Sequence, residues 1–263
     1  GAPSLFLLYR GEGGTFANVP AIDVAPAGSE ARWLDADGDG WLDLFFPYLM
    51  PRDARVGVPG LLVRNIGGTF AAVAAPEGNL SSRAANSASV VVIDADGDPR
   101  PDLLIVVDGE GAAYRGDGEG TFGSIENRDG GFGAGLRGAI AADFDNDGDA
   151  DIFSFGSEGG RLWRNSGKGT YSDVTGDSGF GVTSDLAAAV AADFDDDGLM
   201  DIYLAGVDVT ARGAAPLVKL FRNLGGSAFR DMTAQTGLRA GAAAAADYDM
   251  DGDLDLFIPG GNR

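Results

Sequence analysis

One aspartate-rich phrase recurs five times along the 263 residues and limits what the chain can fold into: Asp35-Ala36-Asp37-Gly38-Asp39-Gly40-Trp41-Leu42-Asp43, with relatives beginning at Asp94, Asp143, Asp193 and Asp247. Successive first aspartates lie 59, 49, 50 and 54 residues apart, and the step from Asp247 around the chain ends to Asp35 is 51. Self-similarity near this period belongs to solenoids, propellers and arrays, whose units bury their apolar faces only against one another. The spacing predicts five like units that return to their start.

Carboxylates at positions 1, 3, 5 and 9 of a nine-residue loop are what a hard cation with six to eight oxygen ligands requires, so each copy reads as a Ca²⁺ site. The loops also account for the acidity. Their positions 1, 3, 5 and 9 hold 20 of the 40 acidic residues behind the formal charge of −21, and five bound ions leave a net charge of about −11. That balance disfavours nucleic acid and anionic membrane as partners. The absence of cysteine and histidine removes disulfides, thiolate or imidazole catalysis and the usual zinc sites. No apolar run approaches the roughly 20 residues that would insert in a membrane. Calcium is abundant outside cells, where modules bind it at roughly 10⁻⁴ to 10⁻³ M, so a secreted or cell-envelope setting (periplasmic or extracellular, in a bacterium) is expected.

Within a unit, a small-residue segment such as Ala187 to Ala192 or Ala242 to Ala246 runs into the aspartate loop. Alanine suits a crowded innermost strand near a tight axis, and the second copy carries Val90-Val91-Val92-Ile93 at this place, which argues against an alanine helix. An apolar run follows each loop, as in Leu103 to Val107, and reads as a second strand buried on both faces. Glycine-punctuated segments such as Leu62 to Phe70 and Leu162 to Tyr171 supply a closing hairpin. The fifth hairpin, Tyr9-Arg10-Gly11 to Phe16, stands at the N-terminus, while its first two strands lie at the C-terminus. The expected fold is all-β: a single five-bladed propeller of four-stranded blades over residues 27–75, 84–126, 133–177, 184–236, and 239–263 with 1–22, closed where the terminal strands pair in one sheet.

The phrase Asp-x-Asp-x-Asp-Gly-x-x-Asp, followed by an aromatic-Arg-Asn-x-Gly hairpin, resembles FG-GAP and VCBS-type repeats, the blades of integrin α-subunit heads and cartilage-acidic-protein-like propellers. An EF-hand shares the first six positions but needs an acid at position 12, where this chain has Phe46, Ile105, Ser154, Leu204 and Ile258. The resemblance implies one Ca²⁺ per blade, about five in all. It implies side-chain ligands Asp35, Asp37, Asp39 and Asp43; Asp94, Asp96, Asp98 and Asp102; Asp143, Asp145, Asp147 and Asp151; Asp193, Asp195, Asp197 and Asp201; Asp247, Asp249, Asp251 and Asp255. Position 7 (Trp41, Arg100, Asp149, Leu199, Asp253) would give its backbone carbonyl. The Asp94 loop has Pro99 where the others have glycine, and is expected to be the weakest site.

The arginine that recurs in the hairpins (Arg10, Arg64, Arg115, Arg164, Arg222) reads as a structural contact to an aromatic ring or a loop carboxylate, and Trp33, Trp41 and Trp163 as inter-blade packing. Pro47 to Gly60 and Gly206 to Pro216 are the longest irregular insertions, at the end of the blades opposite the aspartate loops, where binding is expected. Glu30, Arg32, Arg137, Asp185 and Arg239 are unexpected charges among the inner strands; they form either a ligand pocket at the mouth of the ring or salt bridges that close it. Three functions remain open. The first is a module that recognises a glycan or protein ligand through that face. The second is an enzyme, polysaccharide-lyase-like or isoprenoid/terpenoid-cyclase-like, with an acid such as Glu30 in the central pocket. The third is a purely structural role.

Overall fold

The computed structural model describes residues 8–19, 30–49, 58–73, 88–107, 109–125, 131–209 and 215–258. Among the described residues the chain is all-β apart from two single-turn helices, and no helix there is long and apolar enough to cross a membrane. A first hairpin, β1 (Leu8–Glu12) and β2 (Thr15–Val19), precedes four complete antiparallel sheets. The first holds β3 (Arg32–Leu34), β4 (Asp43–Leu49), β5 (Val58–Ile66) and β6 (Thr69–Val73). The second holds β7 (Ala88–Ile93), β8 (Asp102–Val107), β9 (Glu110–Gly116) and β10 (Phe122–Ser124). The third holds β11 (Leu136–Ala142), β12 (Asp151–Gly156), β13 (Gly159–Asn165) and β14 (Tyr171–Asp173), followed by α1 (Thr175–Ser178). The fourth holds β15 (Asp185–Ala192), β16 (Asp201–Asp208), β17 (Ala215–Asn223) and β18 (Phe229–Asp231), followed by α2 (Thr233–Thr236); a last pair is β19 (Ala244–Ala246) and β20 (Asp255–Phe257).

Each sheet is a meander in chain order, because two strands joined by a tight turn pair antiparallel. Gly67 and Gly68, at φ 62° and 92°, join β5 to β6 with both central residues left-handed, a geometry that only a residue without Cβ adopts freely. The run Ala187 to Ala192 is strand, not helix, and pairs with Ile202 to Ala205 of β16. Its small side chains suit its place: the first strands of successive sheets pack on one another in the order β3, β7, β11, β15, β19.

The sheets stack face to face, and the core is a series of layers between them. Phe45 and Leu62 of the first sheet meet Val90, Leu103, Ile105 and Phe122 of the second. Leu104 and Val106 of the second meet Ile152 and Trp163 of the third. Phe153 and Leu162 of the third meet Leu186, Ile202, Leu204 and Phe221 of the fourth. Second strands contribute to both neighbouring layers, which is why β8 and β12 are buried on both faces. Phe180, in the connection between the third and fourth sheets, packs its ring 4.5–5.2 Å from those of Phe153, Phe221 and Phe229 and fastens the third layer.

Two expectations change. Among the described residues the terminal strands do not share a sheet: β1–β2 and β19–β20 are separate two-stranded ladders. The C-terminal ladder is short, three residues per strand with alanine at every position of β19, and among the described residues it leaves Phe257 70 % exposed and contributes nothing to the buried clusters. The insertions are also shorter than expected, since β4 continues through buried Pro47 to Leu49 and β16 reaches Asp208. Residues 50–57 and 210–214 of those insertions lie outside the described residues.

Candidate metal centres

Each aspartate loop joins the first strand of a sheet to the second and is built by its own carboxylates. The residue at position 4 is left-handed in every copy: Gly38 (φ 71°), Gly97 (79°), Asn146 (63°), Asp196 (56°) and Met250 (61°). Three of these carry side chains, and Met250 carries one of a type rarely found there, so the loop imposes the conformation on them. Position 6 donates its N–H to the first aspartate, from Gly40 to Asp35 at 3.0 Å, Gly148 to Asp143 at 2.9 Å, Gly198 to Asp193 at 2.8 Å and Gly252 to Asp247 at 3.0 Å. Pro99 has no N–H to give, and Gly97 donates to Asp94 instead at 2.8 Å. Position 7 donates to the carboxylate of position 5 in all five loops, at 2.8–3.0 Å.

The turns converge carboxylates. Oxygens of Asp35, Asp37 and Asp39, of Asp193, Asp195 and Asp197, and of Asp247, Asp249 and Asp251 lie within 4.8 Å of one another. In the second and third loops the clustered trio is Asp94, Asp96 and Asp102, and Asp143, Asp145 and Asp151, with position 9 in place of position 5.

The ninth-position carboxylates carry a structural duty that the spacing alone does not reveal. Asp43 accepts N–H bonds from Ala36 (3.1 Å) and Asn65 (2.8 Å), Asp102 from Ala95 and Gly116 (both 2.8 Å), Asp151 from Phe144 (3.1 Å) and Asn165 (2.8 Å), and Asp201 from Phe194 (3.3 Å) and Asn223 (2.7 Å). One oxygen holds the second residue of the loop and the other holds the third strand, so a single buried carboxylate ties loop to sheet. Burial pushes Asp151 up to about 7 and Asp201 up to about 6, overriding the N–H bonds that act the other way. Asp255 accepts only the Tyr248 N–H among the described residues, at 3.2 Å.

The hairpin arginines meet carboxylates of their own blade's loop: Arg64 with Asp37, Arg115 Nε with Asp96 at 2.5 Å, Arg164 with Asp145 at 3.6 Å, and Arg222 with Asp195 and Asp197 at 2.5 and 2.9 Å. The asparagine that follows the arginine in three hairpins does more than the sequence suggested. Asn165 Nδ2 donates to Ala150 O in its own loop and, at 2.9 Å, to Ala95 O in the preceding blade. Asn223 Nδ2 bonds Met200 O and Phe144 O in the same pattern. Its recurrence beside the arginine was the available signal. Arg100 is unusual, since its Nε donates to Asp98 at 2.9 Å and its Nη1 to the Asp117 carbonyl at 3.2 Å; the guanidinium holds the Asp98 carboxyl down at about 2.

Of the inner-strand charges, Glu30 pairs with Arg32, and Arg137 pairs with Asp185 and donates to Leu186 O at 3.3 Å. The second pair bridges the third and fourth sheets. Arg239 is exposed and its carbonyl accepts the Tyr203 hydroxyl at 3.2 Å. Trp163 is buried between sheets and donates Nε1–H to Ser154 at 3.0 Å, whereas Trp41 is 50 % exposed on its loop and Trp33 45 % exposed, so only Trp163 packs as expected.

Among the described residues, open clefts lie between blades. One of about 440 Å³ separates the first two aspartate loops, and a second of about 730 Å³ lies between the hairpins of the second and third blades. A third, about 330 Å³ and apolar, sits at the opposite end, between Ala187, Gly206 and Pro216 of the fourth sheet and residues 240–242.

Residues 94–154 and 143–204 match the model of the FG-GAP-like repeat, so the chain carries FG-GAP-like repeats. No curated protein sequence matches it. Among solved structures it is similar to an Agrocybe aegerita lectin described as recognising non-reducing terminal N-acetylglucosamine, at 21% identity and TM-score 0.60, over 95% of this chain and 67% of the lectin. It is also similar to a V. cholerae biofilm matrix protein (14% identity, TM-score 0.42, 82% of this chain and 30% of that one). The Photorhabdus luminescens Tc holotoxin pore is a third (17% identity, TM-score 0.45, 96% and 12%). The chain thus spans about two thirds of the lectin and under a third of the other two. The likeness to the lectin bears on the fold, which is propeller-like.

Proposed function

We propose that this chain is a calcium-stabilised extracellular propeller that binds a glycan or protein ligand. The observation that carries the calcium half is a set of convergent oxygens short of donors: Asp35 Oδ1 and Asp145 Oδ1 are buried in their loops and receive no hydrogen bond. A buried anionic oxygen without a partner is costly, and a hard cation bound by oxygen alone satisfies it. Asp35, Asp37 and Asp39 and their counterparts would hold the ions. The ion supplies positive charge that locks the loop; it needs no chemistry beyond that.

A rigid stack of blades with open clefts, set between ion-locked loops, suits recognition at the surface. The lectin of similar fold binds a sugar, and transfer of that role to this chain is our inference. We place the ligand at the end opposite the loops, where the 330 Å³ cleft adjoins the β16–β17 connection, Arg239 precedes the lining segment and Asp185 opens β15. A glycan array probed with the calcium-loaded protein should give a defined set of hits. Arg239→Glu should weaken them at least tenfold while leaving the melting temperature unchanged; undiminished binding by this variant would move the site elsewhere.

We also propose that the ring closes through the terminal strands. In the second blade the residue after the hairpin arginine, Gly116, gives its N–H to the ninth-position Asp102. Its counterpart in the N-terminal hairpin is Gly11, and the carboxylate with an oxygen to spare is Asp255. Closure predicts that the Gly11 amide exchanges with solvent as slowly as that of Gly116. Free exchange at Gly11 would leave the two terminal ladders apart.

A further inference from the structure

The repeats serve as their own control, because the same backbone recurs and local departures stand out. At position 7 of the loops the chain has Trp41, Arg100, Asp149, Leu199 and Asp253, so Arg100 alone is cationic there. At the tip of the third hairpin stands Lys168, where the second has Glu119 and the fourth has Gly226. Both departures face one place. The third blade's hairpin docks on the second blade's loop, with Gly169 N–H donating to Ala95 O at 2.8 Å. Arg100, Arg115 and Lys168 thereby line a single cleft of about 730 Å³, together with the hydroxyl residues Thr121 and Thr170 and one acid, Asp117.

From this arrangement we infer that the cleft between the second and third blades binds the carboxylate of an acidic sugar residue. The volume accommodates one or two sugar rings. Arg115 meets Asp96 through Nε, so the rest of its fork carries donors matched to a carboxylate, while Arg100 closes on Asp98 through Nε and Nη2 and on the Asp117 carbonyl through Nη1 and adds its charge to the cleft. Lys168 is exposed and no contact within the described residues engages its ammonium, so it is free to meet an incoming anion. The acid on the cleft wall is turned inward: Asp117 accepts the N–H groups of Glu119 (2.8 Å) and Thr121 (2.9 Å) and the Thr121 hydroxyl. The Thr170 hydroxyl offers a donor and acceptors to sugar hydroxyl groups, and the Thr121 hydroxyl, which donates to Asp117, offers acceptors. In a chain with 19 basic and 40 acidic residues, three cations on one cleft make a local exception that draws anions.

The inference rests on the calcium reading in one respect: an ion in the loop takes up the charge of Asp96 and Asp98, which otherwise competes for the two arginines. It does not depend on the ligand face proposed above. The test is saturation-transfer NMR on the full chain, with calcium saturation first verified by the rise in melting temperature, using methyl glucuronide, methyl glucoside and inorganic sulfate as probes. Methyl glucuronide should bind at least tenfold more tightly than methyl glucoside, and sulfate should displace it. Lys168→Glu should weaken the glucuronide at least tenfold, about one charge contact, and Lys168→Arg should retain it. Equal binding of the two glycosides, or unchanged glucuronide binding in Lys168→Glu, overturns the proposal. Sulfate binding without glucuronide binding, read from shifts of the protein's own amide resonances because sulfate carries no proton, overturns it also, since the cleft would then hold free anions only. A glycan-array hit set persisting beside such a failure would leave the opposite-face reading intact.

Discussion

Chelation with EDTA is expected to lower the melting temperature of the calcium-loaded protein by about 15–25 °C, read by circular dichroism or calorimetry. A ligand that binds only the folded state stabilises it by about 1.4 kcal/mol when present at about ten times its dissociation constant, the regime of extracellular calcium and a site of roughly 10⁻⁴ M. Five such sites give about 7 kcal/mol, and about 2–4 °C of melting temperature follows each kcal/mol in a chain of this size. A loss of under about 5 °C would show that the loops stand without the ion. The second loop should fill last in a titration, because Pro99 removes one loop bond and Arg100 already holds Asp98.

The same carboxylates set the pH dependence. Burial raises Asp151 to about 7 and Asp201 to about 6 in the metal-free fold, above the ordinary carboxylate value of 3.8. The folded metal-free protein therefore binds more protons than the unfolded chain between about pH 4 and 7. The stability these two groups contribute is full below about pH 4 and is lost as pH rises through about 6 to 7. Calcium competes with those protons, so the gap between the calcium and EDTA melting temperatures should widen from pH 5.5 to 7.5. A gap independent of pH would remove Asp151 and Asp201 from the linkage.

The architecture was readable because the loops are spaced at the length of one sheet, and because apolar runs such as Leu103 to Val107 sit at the same distance from each loop. Even the alanine strand Ala187 to Ala192 was legible, through its β-branched counterpart Val90 to Ile93. What stayed hidden depends on long-range geometry. Asn146 and Asp196 belong to the residue types that tolerate a left-handed backbone, but nothing in Met250 announces one; there only the folded loop imposes it. The spacing marked the ninth aspartates as ligands but did not show their second duty: Asp43 and Asp201 accept backbone N–H groups on both oxygens, one of them from 22 residues away. The charges at Arg137 and Asp185 could be read either as pocket or as bridge, and the structure pairs them, since the first strands of adjacent sheets lie side by side.

Replacing Asn223 with alanine is expected to destabilise the protein by about 3–5 kcal/mol in denaturant unfolding, more than the same change at Asn65. The Asn223 amide is buried and makes three bonds: to Phe144 O in the preceding blade at 2.8 Å, to Met200 O at 3.0 Å, and from Gly225 N–H at 2.9 Å. Each bond is worth about 1 kcal/mol net, rising toward about 1–3 kcal/mol where a buried partner is left unsatisfied. Asn65 makes the two bonds within its own blade, to Leu42 O at 3.1 Å and from Gly68 N–H at 2.8 Å. Among the described residues it has no bond to another blade. The difference between the two substitutions, about 1–2 kcal/mol, isolates what one inter-blade staple contributes. Asn223→Asp should fare no better than alanine: the carboxylate keeps an acceptor for Gly225 but faces two carbonyl oxygens and stands beside Asp201, whose Oδ1 accepts the Asn223 N–H at 2.7 Å. If Asn65→Ala and Asn223→Ala proved equal, the bond from Asn223 to the preceding blade would contribute nothing to stability, and the recurring asparagine would be only a turn residue.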